Sequence, residues 1–511
     1  MYFILKCFPV YFQKEIATCE EECVVIPIIM VIAYLIITLL INAVCSRQNK
    51  GTKEYFVAHG GMGLALVIAL IFSEVISGTT TVGAATTAFN AGISSVWSNW
   101  GQGIGMIICV LFLGKFYRAM GRTRDVMSVP SAFAYMFDNR CRIVMLLITI
   151  VSYGIIFAAT VTAAANIIAP LFGTSYAATY WVVGIIFIFV TCVGGIKGIA
   201  AMNILNTAVI FFVLLIVALM ILNRAGGWSV LTSTLPATYF DLFQPDAGTA
   251  LAGGLGTAIG CLIASVYANV LFSAKTYKVA KRGLVITCIL LFVFSLFPAI
   301  IGLSAKVIMP DADASTILYT AGGLFGQGWS GAVAMAVVAA SISTGPAFLL
   351  FVCVAMVKDF YCLIKPAATD KQQMHFSWLS AIIIGVVFMF LGQNASSVLG
   401  QVQGAFQIRS IVGIVLLVAV YWPKTTTRAA FWAMIIGGVL ASFWFFADSP
   451  LGIAPLWAGA IVTLIVQVVI TLFSREKVSP GYLRYRGVLE EFKVLNEKEL
   501  EEERAAKQAR R

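Results

Sequence analysis

Apolar stretches of about twenty residues recur along this chain from Val24 to Ser474, each long enough to cross roughly 30 Å of hydrocarbon. Polar or Gly/Pro clusters divide them into thirteen predicted transmembrane helices, near 24–45, 62–90, 95–119, 141–170, 177–194, 197–222, 250–274, 282–307, 329–357, 376–392, 393–421, 427–446 and 454–474. An all-α, polytopic membrane protein follows, because a helix satisfies its own backbone hydrogen bonds within the bilayer.

Loop charge tests this division. With the N-terminus outside, alternate loops should be basic. The set expected inside holds Arg47, Lys50 and Lys53, then Lys115, Arg118, Arg122, Arg124, Arg140 and Arg142, then Lys197. It continues with Lys275, Lys278, Lys281 and Arg282, with Lys358, Lys365 and Lys371, and with Lys424 and Arg428. The opposite loops offer only Arg224 and Lys306, beside Asp241, Asp246, Asp311, Asp313 and Asp448. The alternation predicts a multi-pass protein of the inner (cell) membrane, N-terminus outside and C-terminus cytoplasmic.

Composition adds exclusions. Of 511 residues, 60% are hydrophobic and 11% charged, against roughly a quarter charged in a soluble domain. The net charge of +11 sits in short loops between spans, so the partner it implies is the lipid bilayer and not nucleic acid. No obligate protein partner is evident. Eleven cysteines are scattered and the only histidines are His59 and His375, so no zinc or haem ligand set exists. Cys19 and Cys23, flanking Glu20–Glu22, read as free thiols of an extracytoplasmic tail (1–23), with a disulfide or metal clip as the alternative. Residues 489–511 mix Lys/Arg with Glu at i,i+4 spacing and predict a cytosolic helix, solvated or docking.

Two spans are interrupted. Ser73-Glu-Val-Ile-Ser-Gly-Thr-Thr-Thr-Val-Gly83 places hydroxyls, a carboxylate and two glycines in mid-membrane, where such residues form helix poorly. Gly253-Gly-Leu-Gly-Thr-Ala-Ile-Gly260 loosens the seventh span. Helices interrupted at corresponding places in two halves point to a transporter site; close helix packing by small residues is the competing account of 253–260. From these breaks come the substrate-contact candidates Gly78, Thr79, Thr80, Tyr267 and Asn269. Glu74 and Arg409 are the deepest ionisable groups, and intramembrane charges are usually paired or functional. Three readings stay open: a structural pair; Arg409 binding a substrate carboxylate bidentately with Glu74 a cation or proton site; or either group reaching a wet vestibule. Trp97 and Trp100 read as interface anchors or a gate.

Tyr55-Phe-Val-Ala58, Ala91-Gly-Ile-Ser-Ser-Val-Trp97, Ser128-Val-Pro-Ser-Ala-Phe-Ala-Tyr-Met-Phe-Asp138 and Gly194-Gly-Ile-Lys-Gly198 resemble, in order, segments of the sodium:solute symporter family. So do Phe272-Ser-Ala-Lys-Thr276 with Ala280-Lys-Arg-Gly283, and Ala339-Ala-Ser-Ile-Ser-Thr344 followed by Lys358-Asp-Phe-Tyr361. The resemblance implies a LeuT-like core of two inverted five-helix repeats, 62–222 and 247–421. One helix with a basic loop (24–61) precedes it; two accessory helices (427–474) and a charged cytoplasmic tail (475–511) follow. It also implies a sodium site built of carbonyls at Ser73, Ile76 and Ala340 and hydroxyls at Ser343 and Thr344. Sodium is a hard cation that takes several oxygen ligands, as Ca²⁺ and Mg²⁺ do; back-bonding of Ser341–Thr344 to their own helix, with a kink at Gly345-Pro346, is the alternative. Where many relatives carry an acidic residue and a Gln in the sixth span, this chain has Asn203 and Asn206, which implies a single Na⁺.

The expected function is secondary active transport of a small organic solute, a carboxylate or amino acid favoured, driven by sodium. No enzymatic chemistry and no metal beyond sodium is expected. Alternatives are proton coupling through Glu74, a channel, or a membrane sensor module.

Overall fold

The computed structural model describes residues 8–46, 62–124, 126–393, 398–475 and 477–508, with backbone alone for 8–24, 46, 194–197 and 502–508. The Tyr55–Ala58 motif, the basic loop of Arg47, Lys50 and Lys53, and His59 lie outside these residues.

Among the described residues eleven helices are long and apolar enough to cross a membrane, and counting each of two bent helix pairs as one span brings the total to thirteen. The first, fourth, fifth and sixth spans are Val25–Cys45, Asn139–Phe172, Tyr176–Val193 and Gly198–Arg224. The seventh to eleventh are Ala247–Ser273, Tyr277–Ile308, Gln327–Ile364, Asp370–Gly392 and Val398–Tyr421, followed by Thr427–Phe446 and Pro455–Leu472. The second is the pair Leu64–Val75 and Gly78–Ala91, bent by 50°, and the third is Ile93–Phe112 with Gly114–Thr123, bent by 63°. The bend at Leu113 contradicts the straight helix expected over 95–119. The helix of the first span starts at Phe8, ahead of the apolar stretch Val25–Cys45. Pro346, where a local kink was expected, lies inside the helix Gln327–Ala355.

Burial separates the interior of the bundle from its lipid-facing rim. The seventh and eleventh spans are 83% and 78% buried over their most apolar windows, the first only 22%. Small residues let the central pair touch. A Cβ on Gly260 would come 2.5 Å from Phe406 O, and one on Gly413 would come 2.5 Å from Ile259 O. Close backbone approach of this kind drives helix association in lipid. Several hydroxyls inside the bundle are spent on their own helix: Thr160 Oγ1 donates to Ile156 O at 2.7 Å and Thr149 Oγ1 to Met145 O at 2.8 Å, which keeps these two from costing an unpaired polar group.

The basic end of the bundle is tied down from several elements. Met62 N donates to Ser273 O at 3.2 Å and Lys275 N to Met62 O at 3.0 Å, joining the start of the second span to the end of the seventh. Arg118 is fully buried and caps the carboxyl end of the seventh span, donating to Leu271 O, Ala274 O and Lys275 O at 2.8–3.0 Å. Its remaining donors go to Glu499 on the C-terminal helix Pro480–Gln508, with Nε–Oε1 at 2.9 Å. Glu499 Oε2 accepts from Tyr277 N at 2.7 Å. The tail helix is therefore docked and not solvated. Ser128 and Ser131, from the Ser128–Asp138 motif, donate to Asp359 of the Lys358–Tyr361 motif at 2.5 and 2.6 Å, on a π-helical turn over Met356–Tyr361.

Candidate functional site

Helix Leu64–Val75 ends where Ile76 turns extended, and Ser77 starts Gly78–Ala91 with a capping box. Ser77 Oγ accepts from Thr80 N at 3.1 Å and Thr80 Oγ1 accepts from Ser77 N at 3.0 Å, satisfying donors that a helix start leaves free. Thr80 therefore serves its own helix, and the Thr79 hydroxyl pairs with Ser77 Oγ. Gly78 is required by proximity: a Cβ there would collide with Ser341 Oγ on the ninth span.

The ninth span brings its hydroxyls to this break. Ser343 Oγ lies 2.7 Å from Ser73 O and 2.9 Å from Ala340 O. Thr344 Oγ1 lies 3.3 Å from Ser73 O, 3.2 Å from Glu74 O and 3.0 Å from Ala340 O. Three carbonyls and two hydroxyls thus converge, all buried. Two hydroxyls own two protons, so the cluster has more oxygen lone pairs than hydrogens to fill them, which is the chemistry of a hard-cation site. Four of the five expected ligands, Ser73, Ala340, Ser343 and Thr344, come together; the hydroxyls reach the Glu74 carbonyl instead of Ile76, which sits at the break with its N–H bonded to Phe72 O at 2.9 Å. The bonds to Ala340 are the back-bonding of the alternative reading, and the same hydroxyls also reach across to the second span.

The seventh span breaks in a different place from the one expected. Gly253–Gly260 is helical, and the glycines serve packing: Gly254 meets Trp97 and Gly256 meets Gln407. The interruption falls just after, at a 3₁₀ turn Cys261–Ile263 and extended Ala264, before Ser265–Ser273. Its freed backbone groups are met by tyrosines from other spans. Tyr117 Oη donates to Leu262 O at 3.1 Å, and Ser265 N donates to Tyr153 Oη at 2.7 Å. Tyr267 reaches Gln102 O at 3.3 Å. Asn269 is buried beside Ser128 and Phe351.

Glu74 and Arg409 are both about 1% exposed, and they do not pair. Both Glu74 carboxylate oxygens, and Nη1 and Nη2 of Arg409, have no hydrogen-bond partner. The Arg409 guanidinium lies over the Tyr153 ring at 4.5 Å and the Phe406 ring at 5.3 Å, a cation–π arrangement. Asn203 Oδ1 accepts from Asn206 Nδ2 at 3.2 Å, and Tyr34 of the first span donates to Asn206, so the amides of the sixth span are spent largely on each other. Trp97 and Trp100 donate to Leu242 O at 2.7 Å and Phe292 O at 3.4 Å, which makes them anchors between elements.

A cavity of about 630 Å³ descends from the end opposite the basic loops towards the first break. It is lined by Gly83, Thr86, Thr87 and Asn90 of the second span and by Thr162, Asn166, Tyr176 and Ser315. None of the predicted substrate contacts lines it. Thr86, Thr87 and Asn90 were missed, although their i,i+3/i+4 recurrence beyond the break marks a polar stripe on the later turns of that helix. At the basic end, beside Ser265 and Asn269, the corresponding space is about 10 Å³.

The family model of the sodium:solute symporter family matches residues 55–437. The chain is 22% identical over 477 residues to the osmoregulated proline transporter OpuE of Bacillus subtilis (strain 168), covering 89% of this chain and 96% of that protein. Among solved structures, it is similar to a substrate-bound, outward-open Na⁺-coupled sialic acid symporter, with TM-score 0.76 at 17% identity, covering 88% of this chain and 98% of the other. It is also similar to Mhp1, a nucleobase-cation-symport-1 family transporter in a closed conformation, with TM-score 0.57 at 16% identity, covering 86% and 99%.

Proposed function

The chain belongs to the sodium:solute symporter family, a family of transporters and not enzymes on the LeuT-like fold, and from that premise we propose that it couples inward sodium movement to uptake of a small carboxylate-bearing solute. The observation that carries the reading is the convergence of the Ser73, Glu74 and Ala340 carbonyls with the Ser343 and Thr344 hydroxyls across the break of the second span. Sodium is cargo here. It enters from the wide cavity, takes these oxygens in place of water, and holds the ninth span against the second.

The solute follows the same cavity, whose neutral hydroxyls and amides admit a polar molecule without selecting its charge. Selection falls to Arg409, whose unpartnered Nη1 and Nη2 match the two oxygens of a carboxylate. Proline and sialic acid, named for the two relatives above, both carry that group. Release occurs at the basic end, which the loop charges place in the cytoplasm. Sodium movement in that direction gains roughly 2.3 kcal/mol per charge per 100 mV.

Glu74 supports a second reading. A buried carboxylate with neither oxygen partnered is costly unless a proton or cation neutralises it, which suits proton coupling. Uptake into proteoliposomes of a solute panel (amino acids, short organic acids, sugars) separates the two. The sodium reading expects accumulation under a sodium gradient at equal pH on both sides. Accumulation under a pH gradient in sodium-free buffer, with no response to sodium, overturns it in favour of Glu74.

A further inference from the structure

Tyr153, on the fourth span, touches all three parts of this machinery. Its ring packs against Phe348 with centroids 4.9 Å apart and the planes tilted by 35°, and Phe348 lies one helical turn beyond Thr344 on the same face of the ninth span. It also meets the Arg409 guanidinium, 4.5 Å from the ring centroid. Its hydroxyl accepts the Ser265 N–H at 2.7 Å, the first amide of the half-helix Ser265–Ser273. The residue is 1% exposed, so any displacement of its ring must move a neighbour, interiors being close-packed.

We propose that Tyr153 is the positioning residue that transmits sodium occupancy at the first break to the second. Cation binding at Ser343 and Thr344 fixes the turn that carries Phe348. The fixed Phe348 face sets the Tyr153 ring, and the ring sets both the guanidinium meant for the solute and the start of the half-helix that must move to release it. This rests on the sodium reading above, and the coupling it describes is reciprocal: what sodium does to the second break, the second break does to sodium affinity.

Hydrogen–deuterium exchange of the full-length protein tests it with sodium alone as the probe, comparing saturating NaCl with choline chloride at equal ionic strength. In the wild type, sodium slows exchange around 73–77 and 340–348 and also, by at least about fivefold, across 261–273, as a shared two-state element requires. Tyr153→Leu keeps the sodium protection at 73–77 and 340–344 and loses it at 261–273. Tyr153→Phe keeps the ring and loses only the cap, so the loss is confined to the first amides after Ala264. Phe348→Leu breaks the ring contact from the sodium side and reproduces the Tyr153→Leu pattern, which secures the test if that variant does not fold. Undiminished sodium protection at 261–273 in Tyr153→Leu or in Phe348→Leu overturns the proposal. Absence of sodium protection at 73–77 and 340–344 in the wild type instead overturns the sodium reading itself.

Discussion

The two interrupted helices solve one problem, exposed backbone inside a membrane, by opposite means. At the first break the protein supplies oxygens: three carbonyls and two hydroxyls share two protons, and no side-chain cation is bound to them. At the second break it supplies one donor and one acceptor from neighbouring spans, Tyr117 Oη donating to Leu262 O and Tyr153 Oη accepting from Ser265 N–H, with the Arg409 guanidinium over that same tyrosine ring. On the proposed function, the first break is completed by an exchangeable ion, whereas the second is closed by the chain itself.

The largest effect that sharpens this contrast is on the side closed by the chain. Arg118 ties the end of the second broken helix to the tail, and removing one partner of a buried pair costs about 3–5 kcal/mol. Arg118→Ala should therefore lower the thermal unfolding midpoint by several degrees in detergent, and Glu499→Gln by less. An unchanged midpoint for both would show that the seventh span is not held from this end. Next, Ser343→Ala with Thr344→Ala removes two polar ligands at about 1.5 kcal/mol each. That should raise the sodium concentration for half-maximal uptake roughly a hundredfold while leaving folding intact.

Arg409→Gln should raise KM for carboxylate solutes at least about tenfold, the loss of one charge-assisted hydrogen bond, with half-saturation by sodium little moved; equal loss for neutral solutes would mean that Arg409 is structural. Gly413→Val forces the central helices apart where a Cβ already meets Ile259 O and should reduce the yield of folded protein. The smallest effect expected is from Trp97→Phe, which loses one hydrogen bond to Leu242 O, worth about 1 kcal/mol, and should leave transport within about twofold.

The first break was readable because its cause is local: Ser73, Ser77, Gly78 and three successive threonines undo a helix by their own chemistry and then cap the next one. The second was misplaced because its cause is not local. Cys261-Leu-Ile-Ala264 carries no helix-breaking residue, and what permits the turn is Tyr117 and Tyr153 arriving from the third and fourth spans. The glycines that drew attention, 253–260, mark packing, which composition alone does not separate from flexibility. The docking of the tail was hidden for the same reason, since Arg118 and Glu499 are 381 positions apart. The bend at Leu113 likewise has no signal beyond the following Gly114. Span count was legible because hydrophobic length is additive along the chain.

The central claim is that the oxygens of the first break hold the coupling ion. Equilibrium binding of radiolabelled sodium to purified protein at fixed pH tests it most directly, in the wild type and in Ser343→Ala/Thr344→Ala. The account predicts saturable binding in the wild type and binding weakened roughly a hundredfold in the double variant, with both proteins folded and giving a cooperative thermal transition in sodium-free buffer. Saturable binding of equal affinity in both would contradict it.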